Sequence, residues 1–355
     1  MCRNFLNYRN YMNKKNQFEG ILSLSPSQSP ILWSIPFNKS KQYYRLNYKW
    51  VKQFALVSGA RLRCEISGNR INKIISICGL EPTAFRERSR FENLIATSPD
   101  QRFDFSQSPY PALRIIDMFA PIGKGSRALI VSPPKAGKTT LLENLAKELV
   151  ENNPELRIIA LLIDERPEEV TAFQMQTNAL IYHSSMDMGS ISHTNLSDLL
   201  IKHLRLEVEC GNDVVVLLDS LTRLGRAYNL SERSSRGRTM SGGLGSAALE
   251  LPRKFFGLAR NVEGGGSCTI LATILKDTGS QMDEVIFQEF KGTGNCDIIL
   301  DRELADQRIF PAIDIQQSGT RKDELLHEPE KLQQINTLRR NLIKMGKAAA
   351  IESLK

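Results

Sequence analysis

The sequence predicts an α/β protein: a parallel sheet with helices on both faces and a phosphate loop at its edge, preceded by a small β-barrel. Three observations carry this. The apolar run Ala128-Leu129-Ile130-Val131 enters a small-residue turn and then the helix-spaced Leu141, Leu142, Leu145 and Leu149, the strand–turn–helix order that cradles phosphates. Beyond residue 113, short apolar runs alternate with helix-length segments, the order of parallel strands joined by crossover helices. Residues 18–80 instead hold about five short strand-like pieces broken by Gly, Ser, Pro and Asn, as in small barrels.

At 355 residues the chain has room for two domains. Its six cysteines (Cys2, Cys64, Cys78, Cys210, Cys268, Cys296) form no CxxC pair and no Cys/His cluster, which predicts a reducing cytoplasm and no structural metal. No apolar run approaches the ~20 residues of a membrane span, so no membrane partner is expected. The formal charge of +8 lies wholly in residues 1–60, which hold nine Lys/Arg against Glu19 alone and 11 of the 25 aromatic residues. Cations interleaved with aromatics suit single-stranded nucleic acid, one set meeting phosphates and the other stacking on bases. Codon drift in an AT-rich genome enriches Lys, Asn, Tyr and Phe equally well, and both readings stand.

Taken in order, residues 1–17 read as a basic disordered tail, with Met12 an alternative start. Residues 18–80 read as an oligonucleotide-binding (OB) barrel, from EGILSLS through PILWSIPF, KQYYRLNY and FALVSGARLRCEIS to RINKIISICG; a purely structural β-domain is the plainer alternative. Residues 81–112, charged and proline-containing, read as a linker. Residues 113–355 form the nucleotide-binding domain, with strands expected at 128–131, 158–163, 214–218, 269–273 and 298–300 and helices including 139–151, 168–176 and 196–210.

Ligands of such sheets bind at the carboxyl ends of the strands, and three of those ends are polar. The first continues into Ser132, Pro133, Pro134, Lys135, Ala136, Gly137, Lys138, Thr139 and Thr140, a Walker A ending with Ser132 in place of the first glycine. Lys138 is placed for the β- and γ-phosphates of ATP and the Thr139 hydroxyl for Mg²⁺. The second ends in Asp164-Glu165-Arg166 and the third in Asp219-Ser220. An acid directly after a buried strand is the Walker B arrangement, making Asp219 a Mg²⁺ contact and Glu165 the group that polarises the attacking water. Alone, Asp219 would read equally well as a helix cap.

Six stretches carry a resemblance: SPPKAGKTTLL, ALLIDERPEEV, LLDSLTRLGRAYN, LPRKFFGLARNVEGGGS, DTGSQMDEVIFQEFKGTGN and RIFPAIDIQQSGTRKDELL. Over residues 114–326 the chain resembles the Rho family of bacterial transcription termination factors, ring-forming RNA-dependent ATPases and helicases with a RecA-like P-loop fold behind a cold-shock-like OB barrel. The resemblance implies ATP and Mg²⁺ as cofactors, a homo-hexameric ring, single-stranded nascent RNA and RNA polymerase as partners, and a cytoplasmic setting. It implies nucleotide contacts from residues 133–140, with Arg166 and Arg308 sensing the γ-phosphate and Phe310 packing on adenine. Arg321 would be a catalytic arginine finger given to the next subunit. RNA would run along two central loops, represented by Gly242 and Gly243 in the first and Lys276, Gly279 and Gln281 in the second, and over Trp33, Tyr43 and Tyr44 on the barrel.

The chain departs from the pattern at four places. Gln281 replaces a cation of the second loop, with Lys276 a nearby substitute. Gly245 replaces an acid in the first. The barrel's aromatic turn is reduced to SPILWS, and the family's N-terminal helical bundle and longer C-terminus are not represented. These departures leave an alternative, a passive RNA-binding protein with degenerate motor coupling. A related DNA helicase is disfavoured by the long family motifs.

Overall fold

The computed structural model describes residues 16–25, 28–35, 42–231, 243–245 and 247–355. These divide into two compact units: one of residues up to Ile95 together with Leu196–Asn212, the other of Ala96–Asn195 and Asp213–Lys355. The expected basic tail lies almost wholly outside the described residues.

In the first unit, strands β1 (Gln17–Ser25), β2 (Gln28–Ser34), β3 (Tyr43–Arg45), β4 (Arg61–Ser67) and β5 (Arg70–Ile77) form one antiparallel sheet in the order β3-β2-β1-β4-β5. The terminal strands β3 and β5 also touch, curling the sheet toward closure, and a helix, Tyr48–Gln53, lies between β3 and β4. That is the arrangement of an OB-like barrel. Register puts Leu22 opposite Leu32 and Phe18 opposite Cys64, so Phe18, Leu22, Leu32, Leu62, Cys64 and Ile74 meet in one core. Gly20 is required in β1, because a Cβ there would sit 2.3 Å from the Trp33 carbonyl oxygen. The stretch KQYYRLNY yields only a three-residue strand. Asn47 then caps the helix, its Oδ1 accepting from Lys49 N at 2.9 Å. Neighbours on a strand face opposite ways, and this separates the tyrosines: Tyr44 is 7% exposed and packs edge-on against Phe18 at 4.6 Å, whereas Tyr43 is 48% exposed. Tyr44 is therefore a core residue rather than the exposed stacker expected of it.

Residues 81–112 are not an open linker. The helix Pro82–Glu87 buries Phe85, and Phe91 is buried after it. Arg88 stacks over Phe85 at 3.8 Å and donates to Glu209 at 2.8 Å. From β6 (Ala96–Thr97) onward the chain joins the second unit, where Phe103 and Phe105 enter the core. The charged composition of this segment hides four aromatic anchors. Leu196–Asn212 joins the barrel's unit through Glu207, whose buried carboxylate takes Arg61 bidentately at 2.7 and 3.0 Å and Asn212 Nδ2 at 2.8 Å. Glu207→Ala would leave Arg61 buried with Glu19, at 2.7 Å, as its remaining carboxylate among the described residues. The expected cost is about 3 kcal/mol, the range for breaking a buried pair, read as a lower denaturant midpoint; an unchanged midpoint would show the pair contributes nothing net.

The second unit contains β7 (Arg127–Ser132), β8 (Arg157–Ile163), β9 (Leu180–Ser184), β10 (Asp213–Asp219), β11 (Arg260–Val262), β12 (Ser267–Leu275), β13 (Cys296–Ile299) and β14 (Gly319–Thr320). Its sheet runs β14-β13-β7-β12-β10-β8-β9, parallel from β13 to β9. The expected strands appear within a few residues of their bounds. Strand β9 is an addition, because LIYHS mixes polar and apolar residues and lacks the continuous apolar run of β7, β8 and β10.

Candidate active site

Strands β7, β8 and β10 bring their ends together as the alternation predicts. After β7 the chain turns through Lys135 at φ 65° and Gly137 at φ 90° before the helix Lys138–Asn152. A left-handed φ favours glycine at position 137, and no side chain caps the helix there, so its first N–H groups and positive dipole end face the loop. Ser132 is accommodated by donating its Oγ to the Pro133 carbonyl at 2.8 Å.

Lys138 Nζ lies 2.5 Å from Asp219 Oδ1 and 3.3 Å from Glu165 Oε1. Thr273 Oγ1 donates to Asp219 Oδ1 at 2.8 Å. Arg223 Nη2 stands 3.3 Å from Glu165 Oε2, close enough for charge attraction though not aligned as a hydrogen bond, and Arg223 also donates to the Asp164 carbonyl. Burial opposes the charge on Lys138, but Asp219 and Glu165 more than offset it and hold its pKa above the ordinary value. Burial, reinforced by the Asp219 carboxylate, pushes Glu165 up to about 7 against the pull of Lys138 and Arg223. A carboxyl that exchanges its proton near neutral pH is suited to general-base work.

Beside the loop is a cleft of about 420 Å³, walled by residues 135–137, Thr140, Leu141 and Asn144 on one side and by Leu300 and residues 310–313 on the other. Its size and apolar lining suit a nucleobase, and Phe310 is among the residues that line it. Lys347 Nζ braces the far wall, 2.5 Å from Asp301 Oδ2 and 2.9 Å from Asp314 Oδ2; each aspartate directly follows a lining residue. Lys347→Met is expected to raise the KM for ATP by roughly threefold to tenfold, about 1 kcal/mol, with kcat nearly unchanged. An unaltered KM would show that the wall stands without this brace.

Other expected residues are not drawn into the cluster. Thr139 is half-buried in the first helical turn. Arg166 is exposed with Glu169 at 3.9 Å, and Arg308 is exposed at φ 61°; among the described residues no hydrogen bond or ion pair joins either to Lys138, Glu165 or Asp219. Arg321 is exposed near β13, its Nη2 donating to the Gly292 carbonyl at 3.1 Å. Trp33 and the exposed Tyr43 pair at 5.4 Å on the barrel. Gly242 lies outside the described residues.

Arg223 and Thr273 were missed by the sequence reading. A signal for Arg223 was present: Ser220 caps the helix Leu221–Leu230, its Oγ accepting from Arg223 N at 3.2 Å, so the third helical residue stays at the strand edge. At three-residue steps the same helix presents Arg226 and Asn229. Arg226 holds the buried Asp283 at 2.8 and 2.5 Å, and Asp283 takes Thr278 Oγ1 at 2.7 Å. Asn229 donates to the Gly243 carbonyl at 3.1 Å and accepts from Gly245 N at 2.7 Å. One helix thus runs from Glu165 to both loops. Gly279, at φ 78°, and the exposed Gln281 border the second loop, and Lys276 lies 5.8 Å from the Phe287 ring.

Residues 112–320 match the ATP synthase alpha/beta family, nucleotide-binding domain. The transcription termination factor Rho of Karelsulcia muelleri is 43% identical over 328 residues, covering 90% of this chain and 86% of its own length. That of Cereibacter sphaeroides is 47% identical over 315 residues, covering 86% and 74%. The chain belongs to the Rho family of transcription termination factors. Against the Rho of Streptomyces lividans, 50% identical over 287 residues, the match takes in 81% of this chain but 40% of that protein, so the chain spans under half of that relative's length. An ATPase of a type III secretion system from pathogenic bacteria shares the fold of this Rho-family chain at TM-score 0.62 and 22% identity, over 79% of this chain and 76% of that one. ATP synthase subunit NeqB of Nanoarcheaum equitans does so at 0.58 and 18%, over 70% and 62%. The second unit is the family's RecA-like P-loop ATPase domain.

Proposed function

We propose that this Rho-family chain works as a homo-hexameric, ATP-driven ring that translocates along single-stranded nascent RNA and releases it from RNA polymerase in the bacterial cytoplasm. The observation that carries the reading is the helix Leu221–Leu230. Its Arg223 stands against Glu165 while Arg226 and Asn229 hold both expected RNA loops, so hydrolysis and strand contact share one rigid element.

In this reading Lys138 and the helix N-terminus hold the β- and γ-phosphates. Glu165 accepts the proton of the attacking water as the new O–P bond forms and ADP leaves. The Thr139 hydroxyl and Asp219 are the groups that would hold Mg²⁺. A hydroxyl and a buried carboxylate are the hard oxygen donors that this ion takes, few side chains sufficing beside phosphates and water. Bound there, Mg²⁺ supplies neutralisation of phosphate charge. Arg321, exposed in its own chain, can serve a neighbouring subunit's ATP. Arg166 and Arg308 read the γ-phosphate, and Phe310 packs on the base. Gln281 and Lys276 meet RNA centrally, Trp33 and Tyr43 on the barrel.

The test is ATP hydrolysis with and without poly-C RNA, beside a Glu165→Gln control. RNA stimulation that vanishes in the control supports a coupled motor. ATP binding without stimulation would sink it and leave a passive RNA-binding protein, the loss falling where Gln281 replaces a cation.

A further inference from the structure

We propose that Ser184 and His193 form a positioning pair that sets the turn carrying the catalytic Glu165. This rests on the role given to Glu165 above. Glu165 follows Asp164, whose φ of 57° is a conformation most residues avoid. That turn is clasped from one side by the segment leaving β9: Asp164 N donates to the Ser184 carbonyl at 2.8 Å, and Met186 N donates to the Glu165 carbonyl at 3.0 Å. The peptide of the base is thus held at both flanks by residues 184–186.

The segment is in turn anchored through the Ser184 hydroxyl. Ser184 Oγ lies 2.7 Å from His193 Nδ1, 3.2 Å from Ser192 Oγ and 3.4 Å from Met188 Sδ. Both Ser184 and His193 are buried. His193 sits in the first turn of the helix Ser190–Glu209, so a rigid element fixes where Ser184, and with it the clasp, can stand. Burial keeps the His193 pKa below its ordinary value despite the nearby Asp164 carboxylate, leaving a neutral ring that makes this bond near pH 7. The pair acts at one remove from the chemistry. Its effect passes through the backbone of Asp164 and Glu165, whose carboxylate must hold a position good to a fraction of an ångström.

The experiment compares Ser184→Ala, His193→Ala and His193→Asn with the parent chain, under saturating poly-C RNA and varied ATP. Asparagine places an amide where Nδ1 stands and keeps a partner for Ser184. The expected result is a kcat lowered roughly tenfold in both alanine variants, with KM for ATP and affinity for RNA unchanged, and recovery of kcat in His193→Asn. Wild-type kcat in Ser184→Ala overturns the proposal, as does a His193→Asn variant as slow as His193→Ala. Should His193→Ala fail to fold, Ser184→Ala decides alone. Glu165→Gln run alongside separates the two readings. If it still hydrolyses ATP, the base assignment falls and the pair's role with it; if it is inactive while Ser184→Ala is normal, the pair's role alone falls.

Discussion

Glu165→Gln is expected to lower RNA-stimulated ATP hydrolysis by at least ~100-fold while ATP binding persists, the size of effect seen when a general base is removed. Glutamine keeps the shape and the neighbours of Glu165 but cannot accept the water's proton. The same substitution has a stability consequence whose sign is set by the raised pKa. In the folded chain Glu165 titrates near 7, against an ordinary 4.5, because burial and Asp219 disfavour its charge. The folded state therefore holds this proton more tightly than the unfolded state. The stability it contributes is complete below pH 4.5 and is lost as pH rises through 7, an amount on the order of 3 kcal/mol. A glutamine amide has no such proton to lose, so the stability of the Glu165→Gln variant relative to the parent should rise between about pH 5 and pH 8. Denaturant midpoints of both proteins across that range check it; midpoints that move in parallel would place the Glu165 pKa near its ordinary value.

Arg223→Ala should be nearly as damaging, with kcat down by roughly 10²–10³, as when a preorganised charge beside the reacting centre is removed. Two effects add. Glu165 loses a cation at 3.3 Å and is held off its ionised form by burial and Asp219, with Lys138 alone opposing them. The Asp164 carbonyl also loses its guanidinium donor, loosening the turn that carries Glu165. Arg223→Lys keeps the charge but does not span both acceptors, so its rate should fall between the two. Steady-state ATPase assays at saturating RNA read this directly, and an Arg223→Ala variant with parental kcat would remove Arg223 from the site.

The parallel sheet and the gathering of polar residues at its edge were legible in the sequence. Continuous apolar runs at 128–131, 158–163 and 214–218 became β7, β8 and β10, and the polar residues that end them converge as Lys138, Glu165 and Asp219. Each of these signals is short-range. A buried parallel strand must be apolar along its length, and the residue after it must emerge at the ligand edge, wherever the strand lies in the sheet. Other features were decided by partners far away in the chain. Leu196–Asn212 belongs with the barrel because Glu207 meets Arg61, 146 positions earlier, and nothing in the residues around either one announces the other. Phe85 is an anchor rather than a linker residue because a core exists for it to enter, and Phe91 is buried with the Arg205 guanidinium over its ring. Tyr43 and Tyr44 are alike by type, and only the register of β3 on β2 turns one outward and the other in. Local pattern reports the period of an element and the chemistry at its ends; which face is covered, and by what, is set by packing between segments that sequence distance keeps apart.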